Sequence, residues 1–200
     1  MLFVALITIE RARLKTRIGA MSSPPSSPPH PPSGPQLLNE QELTTVIRLT
    51  PLVSIDLIVR DSAGRVLLGL RNNEPAKDFY FVPGGRILKD ERLCDAFARI
   101  LINETNIETR YESATLLGVY EHFYSTNRFG EPNLGTHYVV LAFEVAPPDV
   151  SVVQTEGQHS EYRWMHKHEL LASALVHDNT KAYFRVAGVA HAVDAAPLLT

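Results

Sequence analysis

The stretch that decides the fold spans residues 83–107 and reads PGGRILKDERLCDAFARILINETNI. It predicts the end of a β-strand, a loop with two glycines in a row, and an α-helix. Gly84 and Gly85 allow a tight turn and close approach of the backbone to a ligand, and strand-to-helix junctions of this kind commonly bind anions. Asp90 is predicted as the helix N-cap, with Glu91 in the first turn. Apolar residues recur at helical intervals, which predicts one face packed in a core: Leu93, Phe97, Ile100, Leu101 and Ile107.

The spacing within this stretch resembles the Nudix box. Gly85 is followed after five residues by Glu91, and Glu91 after seven residues by Arg99. Arg99 is predicted to pair with Glu91 and to support the glycine loop rather than to bind a ligand. The resemblance implies a fold of the α+β class, the Nudix fold, in which a mixed β-sheet is sandwiched between α-helices.

The chain departs from the box at three positions. Ile100 and Asn103 stand where the box has two of its carboxylates, and Asn106 stands where it has glycine. Three carboxylates spaced i, i+3 and i+4 share one helical face and can hold several Mg²⁺ ions for attack on phosphorus. Only Glu104 of that trio remains. One Mg²⁺ per subunit, with Mn²⁺ as an alternative, is therefore expected, and ordinary Nudix pyrophosphatase chemistry is in doubt.

The same two carboxylate losses are typical of a Nudix subgroup, the GDP-mannose mannosyl hydrolases. The chain resembles this subgroup from about Asn39 to Phe184. The resemblance implies hydrolysis of GDP-mannose, or of GDP-glucose, to GDP and free sugar by attack of water at sugar C1 with inversion. It also implies a homodimer. The segments that carry the likeness follow the subgroup's order: Thr50–Asp56, Phe81–Arg86, Glu121–Tyr124, Thr136–Leu141 and Gln158–Trp164.

The resemblance implies three protein ligands for the metal ion. Glu104 is the first of them, and Gly84 through its main-chain carbonyl and Gln158 through its side-chain oxygen are carried over from the subgroup. Oxygen ligands of this kind suit a hard cation that keeps its other positions for water and phosphate.

Catalysis is assigned by the same resemblance to a histidine, two arginines and one aspartate, Asp56. His159 is the predicted general base, since a neutral imidazole can accept a proton from the attacking water. Arg71 and Arg86 match positions that bind the diphosphate or stabilise its departure, for which guanidinium groups are well suited. His122 is the competing histidine, in a supporting or substrate-contacting role.

Other candidate residues lie along the substrate. Asp56 and Tyr138 match subgroup positions near the sugar and the diphosphate. Asp56 sits among apolar strand residues, where a carboxylate without a partner is costly. Leu43 stands where the subgroup has an aromatic residue near the base, so guanine stacking is expected to differ; Leu37 and Leu38 are the neighbouring candidates for substrate contact.

The flanking sequence predicts the remaining elements. Asn39 and Glu42 form a capping-box pattern at the start of a short helix that Pro51 ends. Strand patterns at 52–59 and 65–70 flank a turn and predict a hairpin. Further strands are predicted at 79–82, 115–124, 136–145 and 161–165, and further helices at 167–173 and 178–186.

Composition limits the partners and the compartment. With 200 residues, 44% of them hydrophobic, the chain can bury one core. A net charge of −3 offers no basic surface for nucleic acid. The one cysteine excludes an internal disulfide and suits the cytoplasm. A small-molecule nucleotide sugar is the expected partner, with neither nucleic acid nor a membrane.

The two ends of the chain are predicted to lie outside the domain. The apolar run Met1–Ile9 is too short to span a bilayer, and the basic residues after it leave an organellar presequence open. Ser22–Pro35 is almost entirely Ser and Pro, which favours disorder. Residues 1–36 are therefore predicted as a disordered extension, 37–187 as the Nudix domain and 188–200 as a tail.

Two other functions remain open at this point. One is a Nudix diphosphohydrolase that breaks a P–O bond in a nucleotide or nucleotide sugar. The other is a non-catalytic Nudix module that binds a nucleotide sugar.

Overall fold

Two β-sheets form the framework of the computed structural model, which describes residues 34–147 and 159–185. The strands are β1 (Leu52–Val59), β2 (Val66–Arg71), β3 (Tyr80–Phe81), β4 (Gly84–Arg86), β5 (Thr115–Tyr124), β6 (Thr136–Val145) and β7 (His159–Met165). The helices are α1 (Glu40–Leu49), α2 (Leu93–Thr105), α3 (Lys167–Ala172) and α4 (Asp178–Ala182), with a 3₁₀ turn at Tyr111–Ser113.

The larger sheet is mixed. Its four strands are ordered β4-β1-β6-β5, and the smaller sheet has the order β3-β2-β7. β1 runs parallel to β6 and antiparallel to β4, whereas β5 and β6 pair antiparallel. A mixed sheet combined with packed helices confirms the predicted α+β class.

The predicted hairpin of β1 and β2 is wrong. The two strands belong to different sheets, and a single bridge between Arg60 and Val66 connects their ends. The reason lies in β1, where seven of eight residues are buried. Because β4 and β6 occupy its two edges, β1 has no edge left for β2.

The start of α2 also differs from the prediction. The helix begins after Arg92, which is its N-cap without a side-chain cap bond. Asp90 is therefore not the N-cap; it has a left-handed φ of 63°, and Glu91 precedes the helix. At the other end, Asn106 is the C-cap at φ 56°. Asn tolerates this left-handed conformation better than most residues, which explains why the glycine of the box is dispensable here.

Helix α2 covers one face of the mixed sheet. Its buried residues pack with β1 and β6 in an apolar core. A second core lies between the two sheets and the C-terminal helices, and a third, small cluster joins α1 to the sheet. The first core contains Ile55, Leu57, Val59, Leu67, Ala96, Phe97, Ile100, Leu101, Ile107, Phe143 and Val145.

Helix α1 forms as the sequence predicts. The side chain of Asn39 accepts the main-chain N–H of Glu42 at 3.0 Å, and the Glu42 carboxylate accepts that of Asn39 at 2.9 Å. The predicted extension 1–36 and tail 188–200 lie almost wholly outside the described residues, so the domain boundaries stay predictions. No helix in the described ranges is long and apolar enough to cross a membrane.

Candidate active site

Most of the predicted site residues border one cleft of about 360 Å³. Residues of strands β1 to β6 and of helices α1 and α2 contribute to it. Leu38 and His159 are not among its bordering residues, and Gln158 lies outside the described part of the chain. The predicted residues that do border the cleft are Leu37, Leu43, Asp56, Arg71, Gly84, Arg86, Glu104, His122 and Tyr138.

A buried hydrogen-bonded chain holds the carboxylate of Asp56. Tyr183 Oη donates to Asp56 Oδ2 at 2.6 Å and lies 3.1 Å from Nε2 of His122. Because a tyrosine hydroxyl has one proton, and Tyr183 gives it to Asp56, His122 must donate from Nε2. The sequence analysis predicts that Asp56 needs a partner, and that partner is a tyrosine 127 residues away in the chain.

Burial controls the protonation of this chain of groups. It raises the pKa of Asp56 to about 7, although the Tyr183 hydrogen bond and the charge of Arg71 oppose the rise. Burial also lowers the pKa of His122 to about 3, with a smaller contribution from His177. His122 is therefore neutral near pH 7. Its predicted contact with substrate stays a prediction, since Nε2 is already bonded to Tyr183.

Gly84 is required by the close approach of β4 to β1. It pairs with Asp56 in the antiparallel register. A Cβ at this position would lie 2.6 Å from Asp56 Oδ1 and 2.8 Å from the main-chain oxygen of Ile55, so any side chain would push the strands apart. The first glycine of the quoted stretch is thereby fixed beside the cleft carboxylate.

Three arginines face the cleft without a carboxylate partner in the described ranges: Arg71, Arg86 and Arg128. Arg71 donates from Nε to the main-chain oxygen of Pro75 at 2.8 Å. Burial lowers the pKa of Arg86, and the charges of Arg128 and Arg99 contribute in the same direction. Guanidinium groups remain charged in proteins, so these side chains supply positive charge that a bound anion can neutralise.

Arg99 pairs with Glu91, as predicted. Its Nε and Nη2 donate to the two Glu91 carboxylate oxygens at 2.6 and 2.8 Å. Nη2 also donates to the main-chain oxygen of Arg86 at 2.9 Å, and the Glu91 carboxylate accepts the N–H of Leu88 at 2.9 Å. This pair, in which the Glu91 side chain is buried and Arg99 is partly exposed, therefore holds the loop after the double glycine on the helix, which is a positioning role.

His159 lies behind Glu104 instead of in the cleft. Its Nδ1 is 3.4 Å from Glu104 Oε2 and 3.2 Å from Tyr162 Oη, which donates to the Glu104 main-chain oxygen at 2.6 Å. The ring packs on Gly69, where a Cβ would come within 2.5 Å of it. Its side chain is 1% exposed, and Nε2 has no hydrogen-bond partner within the described residues.

The donor atoms present fit one hard cation better than a multi-metal cluster. Glu104 and Gly84 border the same cleft, and both offer oxygen, the donor that Mg²⁺ prefers. Residues 34–147 and 159–185 contain no group of three or more His, Cys, Asp or Glu placed to hold a metal. Ile100 and Asn103 face the cleft where the box would have carboxylates.

Sequence reasoning missed two residues near the site. Tyr183 lies in a C-terminal segment that was expected only to pack across the sheet, and its hydroxyl reaches Asp56 through tertiary structure alone. Arg128 borders the cleft from the loop between β5 and β6. The sequence predicts a loop at 125–134 between the two strands, but nothing in the loop's sequence assigns a role to Arg128.

Comparisons with known proteins agree with this architecture. Residues 50–186 match the NUDIX domain family. The low-salt glycan biosynthesis protein Agl8 of Haloferax volcanii is 40% identical over 124 residues, covering 62% of this chain and 76% of that protein.

Two solved structures share the fold. The MutT protein of Methanosarcina mazei Go1 has a TM-score of 0.52 at 20% identity, covering 67% of this chain and 91% of that one. The NUDIX domain of Shewanella oneidensis NrtR, solved with ADP ribose, has a TM-score of 0.53 at 19% identity, covering 74% of this chain and 97% of that one. With the family match over more than half of its length, the chain belongs to the NUDIX family.

Proposed function

We propose that the protein hydrolyses GDP-mannose, or GDP-glucose, to GDP and free sugar. Water attacks C1 of the sugar, the bond from C1 to the phosphate oxygen breaks, and GDP leaves with the bonding electron pair. The observation that carries the proposal is the composition of the cleft. Glu104 is the carboxylate that remains of the box trio, whereas the arginines and the buried Asp56 face the same space.

The charge of the cleft supports a diphosphate ligand. Arg71 and Arg86 border it without a carboxylate partner among the described residues, whereas Arg99 is neutralised by Glu91. Charge-assisted hydrogen bonds from guanidinium to phosphate are strong and often bidentate. These two arginines bind the diphosphate and stabilise the negative charge that grows on GDP as it departs.

Gly84, Glu104 and Gln158 are the residues that would hold Mg²⁺. When bound there, the ion supplies charge neutralisation at the diphosphate. Hydrolysis by a cluster of metal ions at phosphorus needs a carboxylate trio, two of whose members are replaced here by Ile100 and Asn103. This loss favours attack at carbon over attack at phosphorus.

Asp56 contacts the sugar, and His159 acts on the attacking water. Asp56 Oδ2 is held by Tyr183, which leaves Oδ1, on the Gly84 side, to contact the sugar. His159 accepts the proton of the attacking water. This role requires the imidazole ring to move from its position beside Glu104 into the cleft. The ring cannot move in the opposite direction, because it already packs on Gly69.

The apolar end of the cleft is the proposed nucleoside site. Leu37 and Leu43 border it together with Ile47 and Leu52. Leu37 is 83% exposed, so a base packed on this side chain would cover apolar surface. The name of the Agl8 relative refers to glycan biosynthesis, a setting in which sugar donors are used. A homodimer and a cytoplasmic location belong to the same proposal.

The proposal is tested by hydrolysis of GDP-mannose and GDP-glucose in ¹⁸O-labelled water with Mg²⁺. Mass spectrometry should find the heavy oxygen in the hexose, and early proton NMR should show the inverted anomer. Label in a nucleotide or sugar phosphate, with GMP as product, would establish P–O cleavage instead. Tight GDP-mannose binding without turnover would identify a non-catalytic binding module.

A further inference from the structure

We propose that Arg128 is a third phosphate-binding arginine, which contacts the ligand's diphosphate at the end nearest the nucleoside. This inference rests on the proposed function and adds a residue to which the sequence analysis assigns no role. It is based on three observations: the construction of the loop that carries Arg128, the charge balance of the cleft, and the position of Arg128 along it.

The loop between β5 and β6 is built around the buried amide of Asn127, which is 1% exposed. Its Nδ2 donates to the main-chain oxygens of Glu131 and Leu134, both at 2.8 Å. Its Oδ1 accepts the main-chain N–H groups of Phe129 at 3.0 Å and Glu131 at 3.1 Å. These four bonds use the full capacity of the amide. Arg128 is therefore carried by a loop of defined shape.

Packing on either side fixes the direction of this loop. Phe129 packs against the cluster of Ile47, Leu52 and Leu134 beneath α1. Thr136 Oγ1 donates to the main-chain oxygen of Thr126 at 2.8 Å, which closes the base of the loop. Between these anchors Arg128 borders the cleft.

The charge of Arg128 is not balanced by a carboxylate within the described residues. Arg128 contributes to the lowered pKa of Arg86, as expected for a second positive charge nearby. With Arg71, three guanidinium groups that lack a carboxylate partner in the described ranges border one cleft whose acidic residues are Asp56 and Glu104, whereas the fourth arginine, Arg99, is paired with Glu91. Like charges at close range repel in the free protein, and a ligand with two or three negative charges removes that repulsion.

The neighbours of Arg128 place it at the nucleoside end. Its charge acts on Arg86 and Tyr138, and Tyr138 packs on the same α1 cluster as Phe129. The charge of Arg71 also acts on Tyr138, and it acts in addition on Asp56, at the proposed sugar end. The diphosphate therefore runs from Arg71 toward Arg128, with Arg86 and Tyr138 along it.

The test is titration calorimetry of the full chain in Mg²⁺ with GDP, GMP and guanosine. Arg128→Ala should raise Kd for GDP and GMP by about tenfold each, as expected for the loss of one charge-assisted contact at an accessible site. The affinity for guanosine should not change. Arg128→Lys should give a smaller loss, because the charge remains while the planar fork is absent.

Arg110→Ala is the matched control. It removes the same charge from an arginine that is 86% exposed and paired with Glu112 at 3.5 Å, so GDP affinity should not change. A second variant, Asn127→Ala, keeps the guanidinium but removes the bonds that shape its loop, and it should also weaken GDP. Thermal melts of every variant monitor folding.

Unchanged Kd values for GDP and GMP in Arg128→Ala would overturn the inference. An equal loss for guanosine would also overturn it, because Arg128 would then contact the base or only support the loop. Failure of the proposed function gives a different result: no hexose is released, or adenine nucleotides bind as well as guanine nucleotides, while the Arg128 effect on phosphate-bearing ligands persists.

Discussion

The two faces of strand β1 are stabilised by different interactions. Toward α2, its side chains Ile55, Leu57 and Val59 are fully buried among apolar neighbours. On the other face, Ser54 and Asp56 are also buried but border the cleft. One face therefore depends on packing alone. The other must satisfy a carboxylate, and it does so with a tyrosine from α4's C-terminal end.

This contrast separates stability from chemistry within one strand. Removing atoms from the apolar face should lower the free energy of unfolding and leave ligand affinity unchanged in the molecules that remain folded. Removing polar atoms from the cleft face should change turnover more than stability. The following variants test that separation.

The largest expected effect is that of Phe97→Ala on the apolar face. Phe97 is fully buried and makes edge-to-face contacts with Tyr111 and Phe143 at centroid distances of 5.5 and 5.6 Å. Its truncation should lower the free energy of unfolding by about 3–5 kcal/mol. Urea denaturation measures the change. Phe123→Ala, at a 62% exposed position, is the control, and a similar loss there would contradict the comparison.

Arg99→Ala tests the connection between the apolar helix and the glycine loop. Glu91, whose side chain is 2% exposed, would lose the charge-assisted hydrogen bonds from its arginine, at a cost of about 2–3 kcal/mol. A double-mutant cycle with Glu91→Gln measures the coupling. The double variant should recover part of the stability, and strictly additive losses would show that the pair does not act as a unit.

Tyr183→Phe tests the cleft face by removing one hydroxyl. Asp56 Oδ2 loses its donor, which should cost about 1–2 kcal/mol of stability and lower kcat by about tenfold through a misplaced carboxylate. GDP affinity should stay unchanged, since the arginines bind the diphosphate.

The matched control for this variant is Tyr120→Phe. The Tyr120 ring packs on Tyr183 at 4.7 Å, but its hydroxyl has no hydrogen bond among the described residues. An equal fall of kcat in both variants would mean that packing, and not the hydrogen bond to Asp56, is responsible.

The smallest effect concerns the proton on His122. Burial lowers its pKa from 6.5 to about 3, so the ring should stay neutral at pH 5. The stability gained from neutral His122 is fully present above pH 6.5, and it is lost as the pH falls toward 3. ¹⁵N NMR of the imidazole distinguishes the tautomers, and a charged ring at pH 5 would refute the assignment.

The residues of the apolar core could be predicted from the sequence more accurately than the contacts around the cleft. The core side of α2 could be predicted because helical periodicity is local, and α1 because its capping box is local. The hairpin prediction failed because a strand buried on both faces gives no sign of which strands flank it. The N-cap at Asp90 failed because the buried Glu91–Arg99 pair holds that segment outside the helix.

In the candidate site too, residues that belong to a motif could be predicted, whereas contacts between residues far apart in the sequence could not. Glu104, Gly84, Arg71 and Arg86 were identified by motif and do share one cleft. The need of Asp56 for a partner could be stated from sequence, but not the identity of Tyr183. His159 was expected at the reaction centre, whereas its ring lies under Glu104, because spacing along the chain says nothing about side-chain direction.

The bond between Tyr183 and Asp56 has a consequence for biosynthesis. Ribosomes release the chain from its amino end, so β1, both glycines and all four cleft arginines leave the exit tunnel well before Tyr183 does. Until Tyr183 has been made, the Asp56 carboxylate lacks its hydrogen-bond donor. Burying the carboxylate in the nascent domain without that donor is unfavourable. Completion of the cleft is thereby tied to the synthesis of the segment that carries Tyr183, after strands β1 to β7 have been made.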